Sequence, residues 1–281
     1  MEIRLINRFG DLIEISEESD FTLISIEGLG IPDVNINATK SPNQDGETYR
    51  NSNLEPRPIT IEIELIARGK TDMQNKKRLL NKVINPAIGQ LTFEYIDDSV
   101  ERSIKGITES TVYGYESNFT DYKQRILIDL LCSDPFFRDK ADVTEEIVTW
   151  IGGSTFPLEL PTTFAMAGAK MMNVKNEGDV ATPITIEIYG PANFPKIQVR
   201  ETGEYIKVNK KLTADDVVTI TTQFGNKRVE LNGVNAFNIL ELPGSTFFDL
   251  AVGDNVVELT TLDESEDTRV RISYRNRYIG I

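Results

Sequence analysis

The chain has 281 residues, 40% of them hydrophobic and 26% charged, with a net charge of −14 and no histidine. That length favours two domains, each large enough for a core of its own, and the acidic balance argues against a dedicated nucleic-acid binder, which neutralises phosphates with clustered Lys and Arg. Without histidine there is no Ser-His-Asp or Cys-His catalysis and no His-containing zinc site, and a lone cysteine, Cys132, excludes an intrachain disulfide.

Residues 2–7 alternate like a strand and show no signal-peptide architecture, so synthesis in a cytoplasm without the usual export route is expected. No apolar run approaches the roughly 18–20 residues of a membrane helix. Short strands are predicted over 12–15 and 21–26, ending at Gly28 and Gly30. This glycine pair is not a dinucleotide fingerprint, because the third glycine is missing and Pro32 stands where a helix should open. Residues 35–58 form a long polar segment with a tight-turn signal at Asp45–Gly46. Such a stretch in a compact domain reads as a functional loop or an extended arm. Residues 59–65 then alternate strictly, with one apolar and one polar face.

One helix is predicted, Thr71–Asn85, with Thr71 or Asp72 as its cap and Pro86 as its stop. Met73, Leu80, Val83 and Ile84 make its apolar stripe, with Leu79 at the edge. Lys76, Lys77, Arg78 and Lys82 concentrate positive charge in an acidic chain. They read either as a solvated face or, for Lys76, Lys77 and Lys82, as an oligomer interface with an acidic neighbour such as another copy of the chain. More strands are expected over 90–95, 100–109, 111–115 and 125–131.

Cys132 falls in phase with Ile126, Ile128 and Leu130 and reads as core. Asp134, Pro135, Phe136 and Phe137 follow. A proline straight after a strand cannot donate to the ladder and holds the preceding residue extended. These four residues are expected to form an inter-domain junction whose phenylalanines fix the angle between domains, or else an ordinary strand exit capped by core aromatics. The expected boundaries are a first domain over 1–138, a linker over 139–154 containing Trp150 and a Gly-Gly-Ser run at 152–154, and a second domain over 155–281.

The second half reads as β throughout, with strands over 170–176, 182–189, 197–200, 204–208, 217–222, 227–231, 256–259 and 269–274. Gly225–Asn226 and Asn232–Gly233 are hairpin-type turns. Regular short strands with turn punctuation indicate an antiparallel sandwich. The acidic loop 263–267 lacks the spacing of a defined calcium loop and reads as a solvated turn. No cofactor and no metal are implied, and the fold class is mainly β.

Several stretches resemble the siphophage distal tail (Dit) family. In the second half they are residues 176–191 (NEGDVATPITIEIYGP), 201–206 (ETGEYI), 244–258 (GSTFFDLAVGDNVVE) and 271–279 (RISYRNRYI). In the first half they are Ile26–Leu29, Asp45–Gly46, Glu55–Arg57, Ile84–Pro86 and Asp134–Phe137. The resemblance spans essentially the whole chain and is to the short form without an inserted carbohydrate-binding domain. It implies a tail-tube-like first domain forming a hexameric ring around a DNA channel, and a galectin-like or carbohydrate-module-like sandwich facing outward. It implies a virion location at the tail tip. The implied partners are the tail tube, the tape-measure protein, the tail-associated hub protein, and receptor-binding or baseplate proteins. The protein would be non-enzymatic, and DNA would pass without specific binding through a net acidic lumen, which repels phosphates.

The main alternative is a carbohydrate-binding module for host cell-wall recognition, presenting Trp150, Tyr189, Tyr205 or Phe247 to a sugar face. A carboxylate glycosidase needs two acids at defined spacing with one raised pKa, and no pair stands out among 44 Asp and Glu residues.

Overall fold

Ten residues, Arg57–Ile66, set the architecture of the first half. Ile59, Ile61, Ile63 and Leu65 are fully buried while the residues between them face outward, the period-2 pattern of a strand with one core face. The computed structural model describes residues 1–114, 122–148, 150–151, 166–167, 171–262 and 268–281. The chain divides into two units, residues 1–140 with 278–281, and residues 141–277. The acidic loop 263–267 and the Gly-Gly-Ser run at 152–154 lie outside the described residues.

In the first unit the strands are β1 (Glu2–Ile6), β2 (Leu12–Ile15), β3 (Phe21–Glu27), β4 (Val34–Thr39), β5 (Thr48–Leu54), β6 (Arg57–Ile66), β7 (Leu91–Asp97), β8 (Val100–Tyr113), β9 (Lys123–Cys132) and β10 (Phe137–Asp139). Seven of them run antiparallel in the order β2-β1-β7-β8-β9-β6-β3, and β10 joins β8. The long segment expected without regular structure is a separate two-stranded ribbon, β4 with β5. The two strands expected over 100–109 and 111–115 are one, β8, with a register irregularity between Thr108 and Ser110.

The helix, α1, spans Lys70–Val83. Met73, Leu80, Val83 and Ile84 are buried in the core and Leu79 is exposed, as the stripe predicts. The cap differs. Gly69 occupies the N-cap position with no side-chain cap bond, while the Asp72 carboxylate accepts the Arg68 N–H at 2.8 Å. That amide, together with the Lys76 ammonium, holds the Asp72 pKa below the usual carboxylate range.

Cys132 closes the core end of β9, fully buried and opposite Arg57. Burial pushes its thiol up to about 12, against the opposing charge of Arg57. The thiolate is the reactive species, so a disulfide reagent at pH 8 is expected to leave the native thiol unmodified and to titrate it on denaturation. Rapid labelling of the native protein would contradict its placement in the core.

The second unit is a sandwich. One sheet is built from Val143–Val148, Arg269–Tyr274, Ile184–Tyr189, Val217–Thr221, Arg228–Leu231 and Val234–Asn235, in that order. The other runs Met171–Asn176, Gly253–Thr260, Lys196–Val199, Tyr205–Lys207. Alternate residues of both, among them Ile186, Ile220, Ile272, Val174, Ile197 and Val257, share one core. The stretch expected as a linker therefore contains a strand of the second unit: Val143–Val148 pairs with Arg269–Tyr274, setting Glu146 opposite Arg271. Conversely, Tyr278–Ile281 belong to the first unit.

Candidate assembly site

The β4–β5 ribbon is amphipathic. Its register sets Val34 opposite Leu54, Ile36 opposite Ser52 and Ala38 opposite Tyr49, so one face is largely apolar. The other face pairs Asn35 with Asn53, Asn37 with Asn51 and Thr39 with Thr48, and the Asn37 amide donates to the Asn51 side chain at 2.8 Å. The apolar face lies in the open: Val34 is 41%, Ile36 63% and Tyr49 62% exposed. Residues 34–54 carry Lys40 and Arg50 against Asp45 and Glu47, so a ribbon of zero net charge leaves a chain of net −14. An isolated two-stranded hairpin is marginal in water, and this one has a face suited to burial against another molecule.

The root of the ribbon is built around Arg57, 1% exposed. Its guanidinium donates through Nε to the Pro135 carbonyl at 2.7 Å, through Nη1 to the carbonyls of Gly28 at 2.6 Å and of Gly30, and through Nη2 to the Ile279 carbonyl at 2.5 Å. It also lies over the Phe137 ring, 4.6 Å from the centroid. Among the described residues no carboxylate lies within salt-bridge distance of it. Burial lowers its pKa from the ordinary arginine value, but a guanidinium stays protonated in proteins. A buried cation is tolerated when its donors are satisfied, and a fork of five N–H groups suits several carbonyls at once. Gly28, whose φ is +90°, cannot carry a side chain here, since a Cβ would stand 2.1 Å from the Pro58 carbonyl oxygen.

Four stretches that carry the family resemblance thus meet at one side chain: Ile26–Leu29, Glu55–Arg57, Asp134–Phe137 and the closing 271–279. Asp134 accepts the Phe136 N–H at 3.3 Å and pairs with Arg138, shaping the turn that offers Pro135. Phe137 is buried in the first unit's core against Phe93, with ring centroids 6.5 Å apart, while Phe136 is half-buried. All four residues expected at an inter-domain junction belong to the first unit.

On α1, Lys76 pairs with Asp20 at 3.0 Å and Asp72 at 2.9 Å. Lys82 pairs with Asp11 at 2.5 Å, and the Lys77 ammonium lies 5.5 Å from the centroid of the Tyr113 ring. The helix lysines therefore first serve their own unit. The outward face of β3, β6 and β9 bears Glu27, Glu62, Glu64 and Asp129 against Lys123 and Arg125. Lys123 pairs with Glu64 at 2.9 Å and Arg125 with Glu62 at 3.5 Å, leaving that face net acidic.

In the second unit, Tyr189 stands on the outward face of one sheet beneath Arg269 and Arg271, 5.2 and 5.5 Å from its centroid. Tyr205 lies on the outward face of the other sheet under Lys196, and Phe247 stacks on Phe237 at 6.0 Å. Tyr189 and Tyr205 point from opposite sides of the sandwich, so they do not make one sugar platform. Trp150 forms a two-residue strand with Ile151, paired with Met166–Ala167. Among the described residues no group of three or more His, Cys, Asp or Glu could hold a metal ion, and no helix is long and apolar enough to cross a membrane.

Residues 10–132 match the family model described as a phage tail protein RIFT-related domain, and residues 177–278 match that of a siphovirus-type tail component, C-terminal domain. The two matches, in this order along one mainly β chain, define a structural component of a siphovirus-type tail. Within that class, the chain belongs to the siphophage distal tail (Dit) family. No curated protein sequence matches it. Among solved structures it is similar to the Dit (gp 19.1) protein of phage SPP1, described as a paradigm of the hub adsorption apparatus in phages infecting Gram-positive bacteria. That match has 14% identity, a TM-score of 0.72 and 98% of each chain covered. It is also similar to a chain of the phage p2 baseplate in its activated conformation with calcium, at 12% identity and a TM-score of 0.57, with 100% of this chain and 99% of that one covered. The corresponding structure with strontium gives 12% identity and a TM-score of 0.53 over 96% and 97%.

Proposed function

We propose that six copies of this chain form a ring at the tip of a phage tail, joining the tail tube to the baseplate or host-adhesion device and letting DNA pass. The observation that carries the reading is the β4–β5 ribbon. Its apolar face is uncovered in the single chain, its charge is balanced, and the body it leaves is acidic enough to keep copies apart elsewhere. A second copy is the occupant that fits, since each copy then buries its neighbour's ribbon and the contacts close head-to-tail into a ring. The net acidic outward face of β3, β6 and β9 is suited to line the channel, where carboxylates repel phosphates and DNA slides without counterion release. The implied partners are the tail tube, tape-measure, hub and receptor-binding or baseplate proteins. Lys76, Lys77 and Lys82, each already engaged within its own unit, would meet a neighbour's carboxylates only as additional contacts. Synthesis would be in the host cytoplasm and residence in the virion.

Native mass spectrometry of the purified chain is the test, with a hexamer as the expected result. Ile36→Asp is expected to weaken association by about tenfold or more by placing a charge in a buried apolar contact, with the melting of both units unchanged because Ile36 touches no core. A wild-type chain that remains monomeric at high concentration, or an Ile36→Asp variant that assembles normally, would count against this reading.

A further inference from the structure

Tyr278–Ile281 lie far along the sequence from everything they touch in the first unit. The Ile279 carbonyl takes the Arg57 Nη2 donor across 222 positions. The Ile281 N–H donates to the Leu29 carbonyl at 3.0 Å, and Gly280 fits so closely that a Cβ there would stand 3.1 Å from that same oxygen. Tyr278 is clamped in turn: the Arg102 guanidinium lies 3.7 Å from its ring centroid, and its hydroxyl donates to Asp139 at 3.3 Å. Arg102 also pairs with Asp139 at 2.7 Å.

The contacts of Ile279, Gly280 and Ile281 converge on the two ends of the ribbon, while Tyr278 anchors the segment on β8 and β10. Leu29 and Gly30 precede β4 by only a few residues, and Arg57 follows β5 almost at once. The base is closed by the Glu55 N–H on the Asp33 carbonyl at 2.8 Å. Beyond that base neither β4 nor β5 joins another sheet. The ribbon's direction is therefore set at its root, and the root's acceptors are held by Arg57 and by residues 278–281. We infer that Tyr278–Ile281 act as a strap that fixes the root of the β4–β5 ribbon, so that presentation of the ribbon depends on those four residues being seated. The step from ribbon to self-association rests on the ring reading above; the strap itself does not. The strap ties a segment that follows the whole second unit to the part of the first unit that meets other copies. A chain with that segment displaced keeps both cores but offers a loosely directed ribbon, and the entropy of ordering it must then be met on association.

The test compares wild type with Ile281→Pro, which removes the N–H donor at a partly exposed position, and Gly280→Val, which presses on the Leu29 carbonyl. Hydrogen–deuterium exchange over residues 29–54 of the full chain is expected to quicken by about fivefold to tenfold, the effect of losing one such hydrogen bond, with exchange over 171–262 unchanged. Self-association measured by native mass spectrometry is expected to weaken in parallel. Unchanged exchange over 29–54 in both variants overturns the strap, as does acceleration spread equally over both units. A wild-type chain that never associates removes the ring reading, while the exchange comparison still decides the strap.

Discussion

Arg57→Met is expected to destabilise the first unit by roughly 3–5 kcal/mol, the range for stranding buried groups that had shared a charge. The substitution keeps much of the apolar stem but leaves the carbonyls of Gly28, Gly30, Pro135 and Ile279 without their donor. A domain's net stability is about 5–15 kcal/mol, so the loss is a large part of the whole. Calorimetry should show the first unit's transition falling while that of the second stays in place. Arg57→Lys is expected to fall between, because one ammonium keeps the charge but cannot reproduce the planar fork that reaches acceptors on three separate stretches. The partners are carbonyls and an aromatic ring, none of which titrates. The cost is therefore expected to be the same at pH 5 and pH 9, whereas a carboxylate-paired arginine would lose its effect as the partner protonates. A first-unit transition unmoved by Arg57→Met would remove the arginine from its central place.

Much of the architecture could be read from periodicity, because the physics that places those elements is local. Ile59 to Leu65 alternate, and they form the core face of β6. Met73, Leu80, Val83 and Ile84 repeat at helical spacing, and they are buried. The second unit's short strands and its Asn232–Gly233 turn lie where alternation and turn chemistry put them. The ribbon was harder. Its strands are rich in Asn, Ser and Thr, which favour turns and local hydrogen bonds, and the weak alternation of Val34, Ile36 and Ala38 is easily lost among them. Val143–Val148 was missed for a related reason. Its Glu145 and Glu146 look like solvated linker, and only Arg269 and Arg271 on the partner strand make Glu146 a good neighbour in a sheet.

Beyond its place in the Glu55–Arg57 stretch of the family resemblance, the role of Arg57 leaves no signal in the sequence. Between Pro56 and Pro58 it looks like an exposed loop charge, and nothing nearby in sequence announces that Gly28, Pro135 and Ile279 will supply its acceptors. Contacts across 29, 78 and 222 positions are a property of topology. The same holds for Tyr278–Ile281, which local pattern assigns to the second domain simply because they follow it. The Gly28–Gly30 pair brings two carbonyls close to a buried cation, with Gly28 in a backbone conformation that only glycine adopts easily.

Phe137→Ala is expected to cost about 3–5 kcal/mol in the first unit, the usual range for removing a fully buried ring. Phe136→Ala, at a half-buried position, should stay within about 1 kcal/mol. Phe137→Leu separates the two contributions of the ring. It retains most of the volume facing Phe93 but loses the aromatic pair and the face presented to Arg57, each worth on the order of 1 kcal/mol. The expected order of damage is therefore Phe137→Ala, then Phe137→Leu, then Phe136→Ala. Because the Arg57 guanidinium rests on this ring at 4.6 Å, Phe137→Leu and Arg57→Met should not add. A double-mutant cycle is expected to return a coupling of about 0.5–3 kcal/mol, as for residues in direct contact. Strict additivity would mean that ring and cation are merely neighbours, and that the four carbonyls alone hold the arginine in place.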